Sequence, residues 1–121
     1  MTISVFINTL NEAKRIRNCL ESVRWADEIV VVDMHSDDDT VAIAREFTDK
    51  IFLFDRVGYC EPARKFAVEK TRAQWILNLD ADEIVTVGLK NELLRVVQEG
   101  RWDAVHIPRV NYFWGDRKSV V

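Results

Sequence analysis

Trp75-Ile76-Leu77-Asn78-Leu79-Asp80-Ala81-Asp82-Glu83 joins a short apolar run to a cluster of carboxylates. A run of that length, rich in large apolar side chains and bounded by charge, is the pattern of a strand buried on both faces. Acidic residues at its carboxyl end stand where open α/β sheets take ligands, in the crevice outside the strand ends. In an extended segment Asp80 and Asp82 point to the same side, so their oxygens suit one shared hard cation. Mg²⁺ or Mn²⁺ held in this way keeps positions open for the phosphates of a substrate. The alternative for an isolated Asp-x-Asp is a solvated acidic turn, and the rest of the chain has to choose between the two.

Outward from this junction the chain alternates strand and helix patterns. Residues 3–7 read as a first strand and Glu28–Asp33 as a second, β-branched and nearly continuous as a central parallel strand should be. Ile51–Phe54 and Ala104–Pro108 read as a third and a fifth strand, with the Trp75–Leu79 run as the fourth. Helical spacing of Ala13, Ile16, Leu20 and Val23 predicts a helix over 11–24. Further helices are expected through Val41, Ala44 and Phe47, over 61–71, and over 87–98 with Gly100 as its C-cap. This order predicts an α/β, Rossmann-like, mostly parallel sheet with helices on both faces.

At 121 residues the chain is the size of one domain and can bury a core without a metal or disulfide staple. Lys and Arg number 17 against 20 Asp and Glu, and no basic stripe recommends nucleic acid as a partner. The N-terminus runs straight into strand-like sequence, so no signal peptide is expected, and no apolar stretch approaches the length of a membrane span. Cys19 and Cys60 fit no metal or redox spacing, which predicts reduced thiols and a cytoplasmic setting.

Three further polar features fall at strand ends on the side of Asp80 and Asp82. They are Asn8-Thr9-Leu10-Asn11-Glu12 after the first strand, Asp33 with His35-Ser36-Asp37 after the second, and Gly58 to Lys65 after the third. A carboxylate such as Asp33 can accept the N3–H of a uracil ring, and Arg64 near a helix start offers a planar fork to a diphosphate. Each also has a structural alternative: Asp33 as a helix cap, Glu12 as a first-turn dipole partner, Arg64 as a solvated helix residue. Taken together they predict one pocket with a base-binding end, a diphosphate clamp and a metal.

These stretches resemble the nucleotide-binding half of a family 2 glycosyltransferase of the GT-A fold, nearest the bacterial branch that adds sugars to the lipopolysaccharide inner core. The likeness rests on Ser4 to Glu12, where the family has a strand and then Pro-Thr-Tyr-Asn-Glu, and on Glu28 to Asp33 with Ser36, Asp37 and Thr40. It rests further on Gly58 with Ala63-Arg64, and on Trp75 to Glu83. The resemblance implies that Thr9 and Glu12 border the nucleoside, Asp33 reads the base and Arg64 lies by the base or diphosphate. Asp80 would face the ribose or sugar, and Asp82 a Mg²⁺ or Mn²⁺ ion. Residues 1–115 are then a nucleotide-sugar-binding domain and 116–121 a divergent tail at an expected truncation point.

The activity implied is inverting transfer from a nucleotide sugar, a UDP-sugar on the Asp33 argument, to a saccharide or lipid-linked saccharide acceptor. The inner face of the cytoplasmic membrane is a natural place for that reaction. Two departures stand out: Asn8 replaces the family's Pro, and Leu10 its Tyr, an aromatic able to stack on a base. No residue stands out as the catalytic base, with Asp103, Asp116, His35 and His106 all weak in context. The alternative is therefore a catalytically incomplete nucleotide-binding or interaction module. Tyr112, Phe113 and Trp114 read as exposed aromatics, either a sugar platform or a seam for self-association. A sugar nucleotidyltransferase would need a Gly-rich loop after the first strand, and Asn8 to Glu12 contains no glycine.

Overall fold

Ile3-Ser4-Val5-Phe6-Ile7-Asn8-Thr9 alternates between two faces that are both buried, which suits the middle of a sheet covered on either side. A computed structural model describes residues 3–55, 69–70, 73–99, 104–107 and 110–115, the last two segments by their backbone. Strands β1 (Ile3–Thr9), β2 (Glu28–Asp33), β3 (Ile51–Leu53) and β4 (Trp75–Asp80) are parallel. Strands β5 (Ala104–Ile107) and β6 (Val110–Gly115) complete a six-stranded sheet in the order β3-β2-β1-β4-β6-β5. The expectation of a mostly parallel sheet holds. Its last third is antiparallel, with β6 lying between β4 and β5.

The described helices are α1 (Ile16–Glu21), α2 (Thr40–Ala44) and α3 (Val87–Glu99), and they share a core with one face of the sheet. That core joins Ile16, Cys19 and Leu20 of α1, Ala44 of α2, and Leu93 and Val97 of α3 to Ile3, Val5, Ile7, Ile29, Val31, Leu77 and Leu79. The alternate residues Phe6, Val30, Val32 and Ile76 are buried as well, on the opposite face. Residues 69 and 70 are helical, while most of the helix expected over 61–71 lies outside the described residues, as do Gly100 and the tail 116–121.

The segment 110–115 forms a strand that the sequence reading did not include. Tyr112, Phe113 and Trp114 belong to an interior strand, with Tyr112 opposite Asn78, Phe113 opposite Leu77 and Trp114 opposite Ile76. Both edges of the β6 backbone are used in pairing, with β4 and with β5. The first helix is also shorter than periodicity suggested. Asn11 takes a left-handed conformation at φ 53°, and α1 begins only at Ile16.

Candidate functional site

The strand order places β1 beside β2 on one side and β4 on the other, although β4 follows β3 in sequence. The order of the parallel strands reverses at the β1–β4 boundary, and open sheets bind ligands outside the carboxyl ends at such a point. A cleft of about 270 Å³ opens there, lined by Asn8, Thr9, Leu10, Glu12, Met34, Asp80, Ala81 and Asp82. A larger cleft of about 380 Å³ lies at the amino end of β2, among Arg24, Asp27, Glu28, Glu46 and Lys50. Its charged groups already have partners within the fold: Lys50 pairs with Glu28, Arg24 with Glu21 and Glu46 with Arg17, and Asp27 accepts the Ile3 N–H at 2.8 Å. The smaller cleft carries the chemistry.

Its acidic rim is a closed turn. β4 ends at Asp80, and the chain then folds back so that the Glu83 N–H donates to the Asp80 carbonyl at 2.9 Å. The Glu83 carboxylate in turn accepts the Asp80 N–H at 2.8 Å. The extended geometry assumed for Asp80-Ala81-Asp82 therefore stops at Asp80. Both aspartates are exposed and still line the same cleft, because Ala81 between them is buried and anchors the turn. Burial pushes the Glu83 carboxyl up from its ordinary value, and the charges of Asp80 and Asp82 add to this, with the Asp80 amide offsetting part.

The turn is fastened to the end of α1 from below. Ser22 Oγ accepts the Val85 N–H at 3.0 Å, and the Cys19 thiol donates to the Asp80 carbonyl at 3.6 Å. Burial pushes the Cys19 thiol up to about 12, and Glu83, Asp82, Asp80 and Glu12 reinforce the shift. A folded thiol that holds its proton this firmly favours the fold fully below the unfolded value of about 8.5. That contribution is lost as pH climbs through the interval toward 12. Iodoacetamide at about pH 8 should therefore leave Cys19 unmodified in the native protein and label it in urea, read by peptide mass spectrometry. Equal labelling in both states would contradict the burial.

The loops after β1 and β2 are laced together. Thr9 Oγ1 donates to Asp33 at 2.6 Å, and the Met34 N–H donates to the Thr9 carbonyl at 2.9 Å. The Asn11 N–H donates to Ser36 Oγ at 2.8 Å, and Asn11 Oδ1 accepts the Asp37 N–H at 2.7 Å. The Glu12 N–H donates to Thr40 Oγ1 at 2.9 Å, and the Ala13 N–H to Asp38 at 3.1 Å. His35, at φ 58°, supplies the second left-handed residue, a conformation in which Asn and His are enriched among non-glycine residues.

Four of the expected residues meet at this cleft: Thr9, Glu12, Asp80 and Asp82. Asp33 takes a different place from the one expected. It is fully buried, and its carboxylate accepts Thr9 Oγ1, Ser36 Oγ at 2.6 Å and the Ser36 N–H at 2.7 Å. Its parity with Ile29 and Val31 turns it toward the helices, beneath the cleft, where it holds two loops in register. Arg64 lies outside the described residues. Asn8 and Met34 were missed, and strand alternation was the signal, since both fall on the same face as Asp80.

Among the described residues no group of three His, Cys, Asp or Glu side chains converges as a cage for a metal ion. Two exposed carboxylates on one rim nonetheless fit a Mg²⁺ or Mn²⁺ ion completed by phosphate and water, which these cations accept without an all-protein shell.

The family model described as "Glycosyl transferase family 2" matches residues 4–120. The chain belongs to glycosyl transferase family 2. An uncharacterized glycosyltransferase of Rickettsia felis is 44% identical over 92 residues, covering 75% of this chain and 32% of that protein. The lipopolysaccharide core biosynthesis glycosyltransferase LpsC of Rhizobium meliloti is 34% identical over 98 residues, covering 78% of this chain and 36% of that protein. The family 2 chain thus spans about a third of the length of these relatives.

Among solved structures, S. aureus TarS 1–349 in complex with UDP-GlcNAc superposes with a TM-score of 0.70 at 26% identity, over 86% of this chain and 33% of that one. Glucosyl-3-phosphoglycerate synthase from Mycobacterium tuberculosis, in complex with Mg²⁺ and UDP, gives 0.68 at 25% identity, over 83% and 40%. The GT-A, Rossmann-like reading of the fold agrees with both.

Proposed function

We propose that this chain is the donor-binding part of an inverting glycosyltransferase that holds a UDP-sugar and a divalent cation in the β1–β4 cleft. The observation that carries the reading is the position of the Asp80–Asp82 rim at the switch point of a family 2 sheet. The uridine nucleotide is supported by the UDP-GlcNAc and UDP complexes of the two structural neighbours, and the cation by the Mg²⁺ in one of them. The acceptor is a saccharide or lipid-linked saccharide of the lipopolysaccharide core, supported by the likeness to LpsC. Such an acceptor places the reaction at the cytoplasmic face of a membrane. Among the described residues no helix is long and apolar enough to cross one.

In this reading Asp82 holds the cation, Asp80 faces the ribose or sugar, and Thr9 and Glu12 border the nucleoside, with Arg64 by the base or diphosphate. A Mg²⁺ or Mn²⁺ bound there supplies Lewis-acid neutralisation of the departing diphosphate. The chain contributes preorganisation. Glu83, Ser22 and Cys19 fix the turn that carries both aspartates, so little freedom is lost when a ligand arrives. No described residue is assigned as the base that takes the acceptor proton. Calorimetric titration with UDP, with and without Mn²⁺, tests the proposal. Tight binding that needs the cation supports it, and UDP binding indifferent to Mn²⁺ would overturn the role of the rim.

A further inference from the structure

The segment that joins β4 to α3 carries the acidic rim, and two kinds of bond shape it. Glu83 closes the turn on itself: its N–H donates to the Asp80 carbonyl and its carboxylate accepts the Asp80 N–H. That closure sets the shape of the turn, yet it does not place the turn against the rest of the cleft. Placement comes from below, where Ala81 and Val85 are buried in the core that α1 shares with the sheet.

Ser22 makes the link. It stands at the C-cap of α1, where its hydroxyl donates to the Cys19 carbonyl at 2.6 Å and accepts the Val85 N–H at 3.0 Å. The first bond aims the hydroxyl, and the Trp25 indole N–H holds the Ser22 carbonyl at 2.8 Å. The other end of α1 springs from the cleft, since the Glu12 carbonyl accepts the Arg15 and Ile16 N–H groups at 3.0 and 2.9 Å. α1 is thus a strut between the β1 loop and the acidic turn, and Ser22 is a point where it meets the turn.

A turn held in this way has few oxygens to offer. The Asp80 N–H engages the Glu83 carboxylate, and the Glu83 N–H and the Cys19 thiol engage the Asp80 carbonyl. What the turn presents to the cleft is the exposed pair of Asp80 and Asp82 carboxylates. Mg²⁺ and Mn²⁺ accept one or two carboxylates beside water and phosphate, whereas Ca²⁺ takes roughly 6–8 oxygens in a flexible shell. A loosened turn could swing further oxygens onto the larger ion, and a fastened one cannot. We propose that Ser22 is a positioning residue for the cation: by fastening Val85 it keeps the rim to two carboxylates, and selection of Mn²⁺ over Ca²⁺ depends on it. The inference rests on the functional reading above and deepens it.

Calorimetric titration of UDP in Mn²⁺, in Ca²⁺ and in EDTA, on the parent, Ser22→Ala and Ser22→Thr, tests it, with urea unfolding to show that each protein is folded. The parent should bind UDP at least about tenfold more tightly in Mn²⁺ than in Ca²⁺. Ser22→Ala should lose about fivefold in Mn²⁺, the worth of one neutral hydrogen bond, and stay within about twofold in Ca²⁺. Ser22→Thr, which keeps the hydroxyl, should stay near the parent, and all three should bind alike in EDTA. A smaller parent preference, an equal loss in both ions, a parallel loss in EDTA, or a Ser22→Thr protein no better than Ser22→Ala overturns the proposal. If the parent needs Mn²⁺ for UDP but Ser22→Ala keeps the full preference over Ca²⁺, the fault lies with this inference alone. If UDP binding by the parent is indifferent to Mn²⁺, the functional reading falls and takes the inference with it.

Discussion

Asp33→Ala is expected to cost about 3 kcal/mol of folding stability, more than a surface carboxylate could. The side chain is fully buried and accepts three bonds, from Thr9 Oγ1, Ser36 Oγ and the Ser36 N–H, at 2.6, 2.6 and 2.7 Å. Alanine would leave three donors facing a void, and each unsatisfied buried group costs roughly 1–3 kcal/mol, with some relief from rearrangement. Asp33→Asn keeps one acceptor oxygen but brings an NH₂ group to the second position, so its loss should be intermediate. Urea unfolding gives the comparison. A loss below about 1 kcal/mol for Asp33→Ala would show that this network does not hold the β1 and β2 loops together.

Asp82→Ala is expected to do the reverse: leave stability near that of the parent and lower Mn²⁺-dependent UDP binding by at least about tenfold. The residue is exposed on the turn beyond β4, so the fold loses little. Asp82→Asn should lose most of the same binding, because a hard cation needs the charge as much as the oxygen. Without Mn²⁺ the parent and both variants should bind UDP equally weakly. Parent-like binding by both variants in Mn²⁺ would reduce the acidic rim to a solvated turn.

The central strands were legible because burial on two faces leaves a near-continuous apolar run, as in Glu28–Asp33 and Trp75–Asp80. The start of α1 was not. Ala13 fits the helical period, but Asn11, Glu12 and Ala13 spend their backbone N–H groups on Ser36, Thr40 and Asp38 of the neighbouring loop. Periodicity along one segment carries no record of such cross-loop bonds. Strand β6 was hidden for a related reason: Tyr112-Phe113-Trp114 follows directly on another strand, and aromatics in succession do not say which partner takes them.

Thr9, Glu12, Asp80 and Asp82 could be set beside one cleft from sequence because their distance from a strand end is local information. The burial of Asp33 beneath it was not read, because its face was not weighed. Counting back in twos to Ile29 assigns it to the helix side, and counting from Val30 and Val32 assigns Met34 to the cleft.

The pairing of β1 with β4 bears on how the chain is made. Ile3 must find Trp75, and Asn8 must find Asp80, across nearly all of β2, β3 and their connections. The entropy of closing so long a loop rises only slowly with its length, but contacts this distant slow the search. During synthesis β1 can pair with β2 long before β4 has left the ribosome, and until then its other edge is open to foreign strands. Asp80 arrives on the strand that closes that edge, and Asp82 on the turn that follows it. A nascent or misassembled chain lacking β4 in place therefore has no acidic rim, and a nucleotide–metal complex can select only the molecules whose sheet is closed, raising their apparent stability by mass action.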